Sequence, residues 1–543
     1  MNTFVVHALQ MLLLPAALLA LKPLARFLPL RWPPAWRRMS SAWRSVSIRR
    51  PLCAVLLCLP LLLSAVIYAA LHGPPVPAVH DEFSYLLAAD TFASGSLTNP
   101  THPMWVHFES FHIIHIPTYM SMFPPLQGAV LALGVLLGHP WLGVLLSGFA
   151  AVLLLWWAAR QWLPPRWALV AGAFAPLLFI GTYWSQSYWG GSVNAAAGAV
   201  AFGAAGMLRR RLTAKGLALY AAGTLLCAGS RPFEGAVLCL FLSCWLIFTH
   251  LRARNSHASL RPSVAAPAVL VLLGGTALLL AHNKAVTGNP LRPPYQAAFE
   301  QYFPRGRVVF EKVNRQPVYR HAVMERAYRS QNLPGRKAFT RIYSNYMGLQ
   351  EYYLGVPLFT LFLLALPSLR SARARPAVLA AGAGAAAMAV IPIVLPHYLA
   401  PFAAAMLVAA AHSVRTLPRL FVLPPRHAWL ASAAVLALAL LQYGGRIGSA
   451  ARGPDPSTLW ALDRARVERE LQQLPGPDLV VVRYRHSHNH HREWVYNRAS
   501  IDSSGVVWAR AMDEQNDTLL RQYFAGRRIW LLDADAVPPR LEP

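Results

Sequence analysis

Acidic residues are scarce in this sequence. Its 543 residues include 22 Asp and Glu against 50 Lys and Arg, and charged residues of both signs make up only 13% of the chain. Soluble proteins carry about 25% charged residues, so a soluble protein is excluded. A hydrophobic content of 55% and a mean hydropathy of +0.37 indicate a membrane protein instead.

Cysteine is also rare, and it is confined to apolar runs. The hydrophilic parts of the chain contain none, which excludes a disulfide framework and a cysteine-based metal site there. The five cysteines are Cys53, Cys58, Cys227, Cys239 and Cys244.

Long apolar runs fill much of the remaining sequence. About 20 apolar residues span a bilayer as a helix, and the pattern predicts about twelve spans, the first being a retained span or an uncleaved anchor. A further run, 126–138, is too short to cross and is expected to lie against the outer face. The predicted spans lie near residues 4–22, 52–72, 141–159, 167–182, 192–208, 216–229, 235–250, 264–282, 353–368, 376–396, 398–414 and 427–443.

Basic residues divide the connecting loops into two classes. Six loops together hold 22 Lys and Arg and no Asp or Glu, which marks them as cytoplasmic by the positive-inside rule. This explains the net charge of +28 without a nucleic-acid partner. Outer loops 73–140 and 283–352 and the C-terminal region then lie on the exoplasmic side. The six basic loops are 23–50, 160–166, 209–215, 250–262, 369–375 and 415–426.

The sequence therefore predicts a polytopic α-helical membrane protein with three regions. Residues 1–50 form an N-terminal span and a basic cytoplasmic loop, and residues 51–443 form the transmembrane domain. Residues 444–543 form a small exoplasmic α/β domain, because strand patterns alternate there with helix patterns. The predicted strands cover 478–484, 504–511 and 527–535, with a helix at 513–524 between the last two.

One short stretch of the first outer loop, VHDEFSYLLAAD (79–90), concentrates acids where no Lys or Arg is near. Read as a helix, it places Asp81 and Glu82 in the first turn, where the helix dipole favours ionised carboxylates. One interpretation is that Asp81 merely caps the helix, a contact worth about 1 kcal/mol. The other is that a carboxylate here performs chemistry.

Three motifs resemble the GT-C glycosyltransferases, membrane enzymes that use polyprenyl-phosphate sugars. The first is Asp81-Glu82 with Tyr85 three residues later, at the start of the first outer loop. The second is the Pro-Pro-Leu of SMFPPLQGAVLALG, followed by an apolar helix. The third is HYLAPFAAAM, with His397 and Tyr398 where the family has Arg-Tyr. The resemblance covers roughly residues 50 to 415 and implies a GT-C-like fold.

The resemblance further implies an inverting sugar transfer from a polyprenyl-phosphate donor at the outer face of the inner (plasma) membrane. Asp81 corresponds to the family's general base, which takes the proton from an acceptor hydroxyl on a glycan, lipid or protein. Glu82 is the alternative base or an orienting partner. A carboxylate suits this task because the sugar–phosphate bond is already activated.

A leaving phosphate requires fixed positive charge, and three residues near predicted span ends are candidates. Lys284 and Arg292 follow the span 264–282, and Arg231 lies in SRPFEG. The alternatives are contact with anionic lipid headgroups for Lys284 and Arg292, and an i,i+3 ion pair with Glu234 for Arg231.

The remaining candidates are aromatic or titratable residues of the outer loops. Tyr188 and Trp189 in TYWSQSYWGG suit a sugar ring or an isoprenoid, although interfacial aromatics are common anyway. Glu109 and His112 are expected at an acceptor surface lined by aromatic and His side chains. The alternative is a zinc-like set, in which His107 and Glu109 would share a strand face; its members are His102, His107, Glu109, His112 and His115. The loop 183–191 lacks the acid that holds a divalent cation in metal-dependent relatives, so a mechanism without metal or cofactor is favoured and a cation stays an alternative.

Other functions remain open from sequence alone. A lipid or glycan transporter is one, although the apolar segments hold almost no Asp, Glu, Lys or Arg, which ion-coupled transporters usually need. A polymerase or ligase of surface polysaccharide is another, distinguished only by its donor. Four His within 486–491 suggest either a metal site or a solvated loop beside a binding surface.

Overall fold

The computed structural model describes most of the chain. It covers residues 9, 12–20, 23, 34–252, 261–304, 306, 308–309, 311, 313, 315–330, 338–421 and 428–543. Of the first predicted span, 4–22, the described residues are 9 and 12–20, which are helical; its other residues and parts of the basic loops 23–50, 250–262 and 415–426 lie outside the described residues.

Among the described residues, seven helical segments are long and apolar enough to cross a membrane, and three shorter apolar helices accompany them. The chain is thus a multi-pass membrane protein. The seven are Arg50–His72, Pro140–Trp162, Gly191–Leu208, Pro232–Arg252, Pro262–Thr287, Ala400–Leu420 and Trp429–Thr458, and the shorter ones are Pro125–Leu136, Ala214–Ala228 and Leu358–Arg370.

The predicted number of about twelve spans is not confirmed, because several predicted spans are broken. The run 167–182 forms helix Pro165–Phe174 and a 3-10 turn, Ala175–Leu178. Gly181 then adopts a φ of +60°, and a Cβ there would lie 2.0 Å from the carbonyl oxygen of Arg446. Only glycine allows this close crossing, so the chain turns before the helix can reach full span length.

Helices outside these spans are mostly short or lie in the outer loops. They are Pro34–Ile48, His80–Ala93, Trp105–Phe108, Tyr183–Gln186, Pro294–Tyr302, Ala322–Ser330, Ala338–Tyr352, Gly355–Leu363, Arg375–Ala389, Trp460–Gln472 and Glu514–Tyr523. Within the longer apolar segments, helices Ala403–Leu420 and Ala428–Arg452 carry the α-helical part.

The first outer loop folds into two packed helices and a small sheet. Its strands β1 (Asn99–Pro100), β2 (Ile113–Ile114) and β3 (Thr118–Ser121) form an antiparallel sheet in the order β1-β3-β2. The short apolar run noted in the sequence is helix Pro125–Leu136, and it packs against helix His80–Ala93. A Cβ on Gly128 would lie 2.5 Å from the Cβ of Ala88, so the two helices touch at this glycine.

The C-terminal region forms the expected strand and helix alternation. Strands β4 (Asp478–Arg483), β5 (Val506–Arg510) and β6 (Arg528–Asp533) pair in parallel around β4, and β7 (Arg540–Glu542) adds an antiparallel edge that the sequence pattern did not indicate. Strands β4 and β5 are buried along most of their length, as their continuous apolar sequences predict.

The C-terminal unit is joined to the first outer loop by a common hydrophobic core. Phe83 and Phe108 of the loop pack in one cluster with Trp494 and Trp508 of the C-terminal unit. The ring of Tyr496 stacks on Phe83 with centroids 4.1 Å apart. This packing fixes the C-terminal unit directly above the start of helix His80–Ala93.

Candidate active site

The helix that carries the candidate base begins at His80, with Val79 as its N-cap residue. The interpretation of Asp81 as the N-cap is therefore wrong. Asp81 is partly exposed, and within the described part of the chain its carboxylate neither accepts a hydrogen bond nor forms an ion pair. A carboxylate left without a partner in the first helical turn is available to a ligand.

Glu82 has the structural task that sequence reasoning had given to its neighbour. Its Oε2 accepts the backbone N–H groups of Ala78 at 2.8 Å and Val79 at 3.1 Å, and its Oε1 accepts that of Tyr188 at 3.0 Å. Burial raises the pKa of Glu82 to about 7, although its three hydrogen bonds from backbone N–H groups act in the opposite direction. The side chain thus ties the helix start to the aromatic loop 183–191.

A fixed cation, Arg231, lies across the same space. Its guanidinium carbon lies 4.0 Å from the ring centroid of Tyr398, and its Nη1 lies 4.0 Å from Glu234 Oε1. The ion pair that competed with phosphate binding in the sequence therefore exists, but at the limit of contact distance. The side chain of Arg231 is only 16% exposed, so its charge acts in a poorly solvated place.

Tyr85 and Tyr398 connect the acid and the cation. Burial raises the pKa of both phenols, the charge on Arg231 opposes this shift, and the charge on Asp81 reinforces it. Tyr85 follows Asp81 by about one turn of helix His80–Ala93, and Tyr398 lies against Arg231. Because both charges influence both rings, Asp81 and Arg231 border the same pair of tyrosines. These four residues were separate candidates in the sequence, and the fold brings them together.

His397, Tyr183 and Trp189 form one wall of this space. Tyr183 Oη lies 3.0 Å from His397 Nδ1 and accepts the backbone N–H of His397 at 3.1 Å. The Trp189 ring meets His397 edge-on at 5.1 Å. Its indole Nε1 is buried and has no acceptor among the residues that the structure describes, so it is a free donor facing the cluster.

His397 does not replace the charge of the arginine that the family carries at this position. Burial and the neighbouring Arg231 both hold the pKa of His397 well below its usual range, so the imidazole is neutral at physiological pH. The cation of this site is therefore Arg231. Tyr183 was not singled out in the sequence, because its contact with His397 spans 214 residues and has no local signal.

The imidazoles of the C-terminal region lie beside Asp81. His490 and His491 stack on His80 with ring centroids 6.4 and 5.9 Å apart, and His80 Nδ1 lies 2.7 Å from Tyr496 Oη. Within the described ranges, no group of three His, Cys, Asp or Glu side chains is arranged to hold a metal ion. The His-rich segment thus borders the candidate site as an aromatic wall.

Glu109 belongs to a different network. Its Oε1 accepts the Tyr302 hydroxyl at 2.9 Å and lies 3.7 Å from Arg320 Nη1, and its Oε2 lies 3.6 Å from His321 Nε2. The expected strand under His107 and Glu109 is absent, because Trp105–Phe108 is a helical turn. His112 lies nearer to the candidate base, with its ring 5.8 Å from that of His80.

The other two predicted phosphate ligands and Tyr188 have different surroundings. Arg292 is paired with Glu300 through two hydrogen bonds, the longer being 3.0 Å. Lys284 is exposed in the last turn of helix Pro262–Thr287. Tyr188 is buried and donates its hydroxyl to the carbonyl of Pro75 at 2.7 Å, so it supports the loop rather than facing a ligand.

No protein-family model and no curated protein matches this sequence. Solved membrane proteins do resemble the structure. ArnT from Cupriavidus metallidurans in its apo state superimposes with a TM-score of 0.50 at 16% identity, over 87% of this chain and 92% of that one. A second structure of that protein, bound to undecaprenyl phosphate, gives 0.49 at 17% identity, over 87% and 88%.

An archaeal oligosaccharyltransferase resembles the chain as well. The enzyme from Archaeoglobus fulgidus, tethered to an acceptor peptide, superimposes with a TM-score of 0.50 at 12% identity, over 88% of this chain and 69% of that one. At such identities the likeness concerns the fold and leaves the individual site residues to be argued from their own geometry.

Proposed function

Because the chain has the fold of the GT-C superfamily, we propose that it is a membrane glycosyltransferase. It transfers a sugar from a polyprenyl-phosphate donor to a hydroxyl of a glycan, lipid or protein acceptor, with inversion at the anomeric carbon. The reaction takes place on the exoplasmic face of the inner (plasma) membrane, where the positive-inside rule puts the first outer loop.

One observation carries this proposal: Asp81, a carboxylate without a partner among the described residues, and Arg231, a largely buried cation, act on the same pair of tyrosine rings. A displacement at a sugar–phosphate bond needs a base on the attacking side and positive charge on the leaving side. A pure lipid conduit has no need of either group.

Each residue has a distinct part in the proposed reaction. Asp81 accepts the proton of the acceptor hydroxyl as its oxygen forms a bond to the anomeric carbon. The bond from that carbon to the phosphate oxygen breaks, and the negative charge that develops on the phosphate is stabilised by Arg231. Trp189 and Tyr183 offer aromatic faces and an indole N–H to the sugar.

The choice of donor has two supports. The Asp81-Glu82 and Pro-Pro-Leu motifs resemble those of enzymes that use polyprenyl-phosphate sugars, and ArnT, whose fold is similar, has been solved with undecaprenyl phosphate. Lys284, exposed at a helix end, remains a candidate for a second contact with the lipid phosphate. Arg292 is a weaker candidate because Glu300 already holds it.

The proposal is tested with cells that carry either the wild-type protein or a variant, by mass spectrometry of their surface glycans and lipids. We expect Asp81→Asn to lower product formation about 10²- to 10⁴-fold, the range that a general base contributes, at unchanged protein level. Asp463→Asn serves as the control and retains the product, because it is an acid-to-amide change at a 41% exposed position of helix Trp460–Gln472, where its ion pair with Arg466 is a surface contact. Wild-type product levels in Asp81→Asn cells overturn the mechanism, whereas an unglycosylated lipid that fails to cross the membrane in the deletion strain supports a transporter.

A further inference from the structure

A polar cavity lies between the C-terminal unit and helix Ala322–Ser330. It encloses about 340 Å³, which is within the size range of small-ligand pockets. Its walls are strongly basic, with a single acid among the charged residues. The charged lining residues are Arg320, Arg326, Arg485, Arg510 and Asp513. Two histidines, His321 and His486, also line the cavity.

Arg510 presents unused donors to this cavity. The residue is only 3% exposed, and its Nη2 donates to a carboxylate oxygen of Glu493 and to the carbonyl of Glu109. Its Nε and Nη1 are buried, and no residue that the structure describes accepts a hydrogen bond from them. The Arg510 guanidinium is therefore held to the protein through Nη2, while its Nε and Nη1 donors remain unsatisfied.

Arg326 repeats this arrangement from the opposite wall. Its Nη2 is buried and has no acceptor within the described ranges. Arg320, which also lines the cavity, lies over the ring of Trp105 at 4.6 Å and keeps 43% of its side chain exposed. Together with Arg485, four arginines from two parts of the chain thus line one cavity.

The acids near the cavity do not satisfy these donors. Asp513 accepts the backbone N–H of Asn516 as the N-cap of helix Glu514–Tyr523. Asp533 pairs with Arg485 at 2.7 Å. Glu493 binds Arg510 only through Nη2, and Glu109 lies 3.7 Å from Arg320 Nη1. The buried donors of Arg326 and Arg510 therefore still lack an acceptor oxygen among the described residues.

An unsatisfied buried donor costs about 1–3 kcal/mol, and more when it is charged. The planar fork of a guanidinium matches the oxygens of a phosphate or a carboxylate, which can accept two hydrogen bonds from one arginine. We propose that this cavity, the Arg326–Arg510 cavity, binds an oxyanion group carried by the acceptor substrate.

The position of the cavity agrees with an acceptor site. Tyr328, on the helix that carries Arg326, packs on Phe111 with ring centroids 5.5 Å apart, and Phe111 lies 6.2 Å from the ring of His490. His490 in turn stacks on His80, the neighbour of Asp81. The cavity thus borders the imidazole wall of the candidate active site, while Arg231 serves the donor phosphate. The assignment to the acceptor rests on the proposed function; the oxyanion site itself does not.

The test is calorimetric titration of inorganic phosphate into the full-length protein in a detergent with an uncharged headgroup. We expect Arg326→Gln to weaken phosphate binding at least tenfold. Arg329→Gln is the matched control, because Arg329 lies on the same helix, is 68% exposed and pairs with Glu325; its affinity should equal that of the wild type. Titration of Arg231→Gln shows how much of the measured binding comes from phosphate at the donor site, because this change removes the cation there.

Two further arms identify where the oxyanion comes from. If nanodiscs of phosphatidylglycerol abolish phosphate binding that is present in detergent, a lipid headgroup occupies the cavity; if binding persists, the oxyanion belongs to a soluble glycan or peptide. Absence of phosphate binding in detergent, or equal affinities of Arg326→Gln and Arg329→Gln, overturns the inference. Because no sugar transfer is measured, failure here is distinguishable from failure of the Asp81 mechanism.

Discussion

Two adjacent carboxylates of one helix turn perform different tasks. Asp81 keeps its oxygens free, whereas Glu82 uses both to hold three backbone N–H groups. The sequence alone does not show which of the two carboxylates has which task, because both precede the same apolar helix face. The separation arises from Tyr188, whose N–H reaches Glu82 across 106 residues.

This difference predicts opposite behaviour on substitution. Glu82→Ala leaves three backbone donors unsatisfied in a buried place, at about 1–3 kcal/mol each, and we expect a clear loss of thermal stability. Asp81→Ala removes no hydrogen bond among the described residues and should shift stability by no more than about 0.5 kcal/mol. Thermal unfolding of the two purified variants in detergent makes the comparison, and equal melting temperatures contradict the assignment.

Residue-level prediction from the sequence depends on short local motifs. Asp81, Tyr85, Arg231, Trp189, His397 and Tyr398 were named from short stretches, and the fold gathers them around one space. Their roles in a reaction stay predictions. Tyr183 and the histidines that stack on His80 were not assigned to this site, since their contacts depend on chain crossings that no local pattern encodes.

At the scale of elements, the contact between helices His80–Ala93 and Pro125–Leu136 positions the candidate base. The helices approach so closely at Gly128 that even a methyl group would overlap Ala88. The position of Asp81 therefore depends on a packing contact at Ala88, about two helical turns away.

Gly128→Ala should consequently displace helix His80–Ala93. Overpacking of this kind costs about 1–3 kcal/mol, and we expect a lower melting temperature together with a reduced transfer rate. Gly274→Ala is the control, because a Cβ there meets no atom within 4 Å and alanine favours the helix. The idea fails if both variants unfold and react like the wild type.

The sequence predicted elements well where apolar runs are uninterrupted, as in Arg50–His72 and Pro262–Thr287. It predicted them poorly where a run is divided by Gly or Pro, because hydropathy does not report a helix break. The run 353–368 shows this, since it forms helix Gly355–Leu363 followed by a 3-10 turn, Leu366–Arg370.

On the scale of the whole molecule, the C-terminal unit and the first outer loop share one core. Asp90 binds Arg498 at 2.7 Å and the N–H of Ala499 at 2.9 Å, so this third acid of the opening helix joins the two parts. The sequence indicated an α/β domain from residue 444, and it contained no signal for this docking.

Tyr496 is the residue on which this docking most depends. Tyr496→Ala removes the stack on Phe83 and the hydrogen bond to His80, a loss of about 3 kcal/mol for a buried aromatic ring. We expect faster tryptic cleavage between the transmembrane part and the C-terminal unit. Leu519→Ala, a change at a 48% exposed position of the same unit, should leave cleavage unchanged, and identical digestion of the two variants refutes the docking role.

The imidazoles of His490 and His491 roof the helix turn that carries Asp81. A carboxylate that activates a hydroxyl activates water equally well, so an uncovered base would waste activated sugar as free monosaccharide. Under the proposed function, we expect the C-terminal unit to limit the access of water to that turn and so to favour transfer over hydrolysis. Its loss is then expected to convert a synthetic enzyme into a slow hydrolase of its own donor.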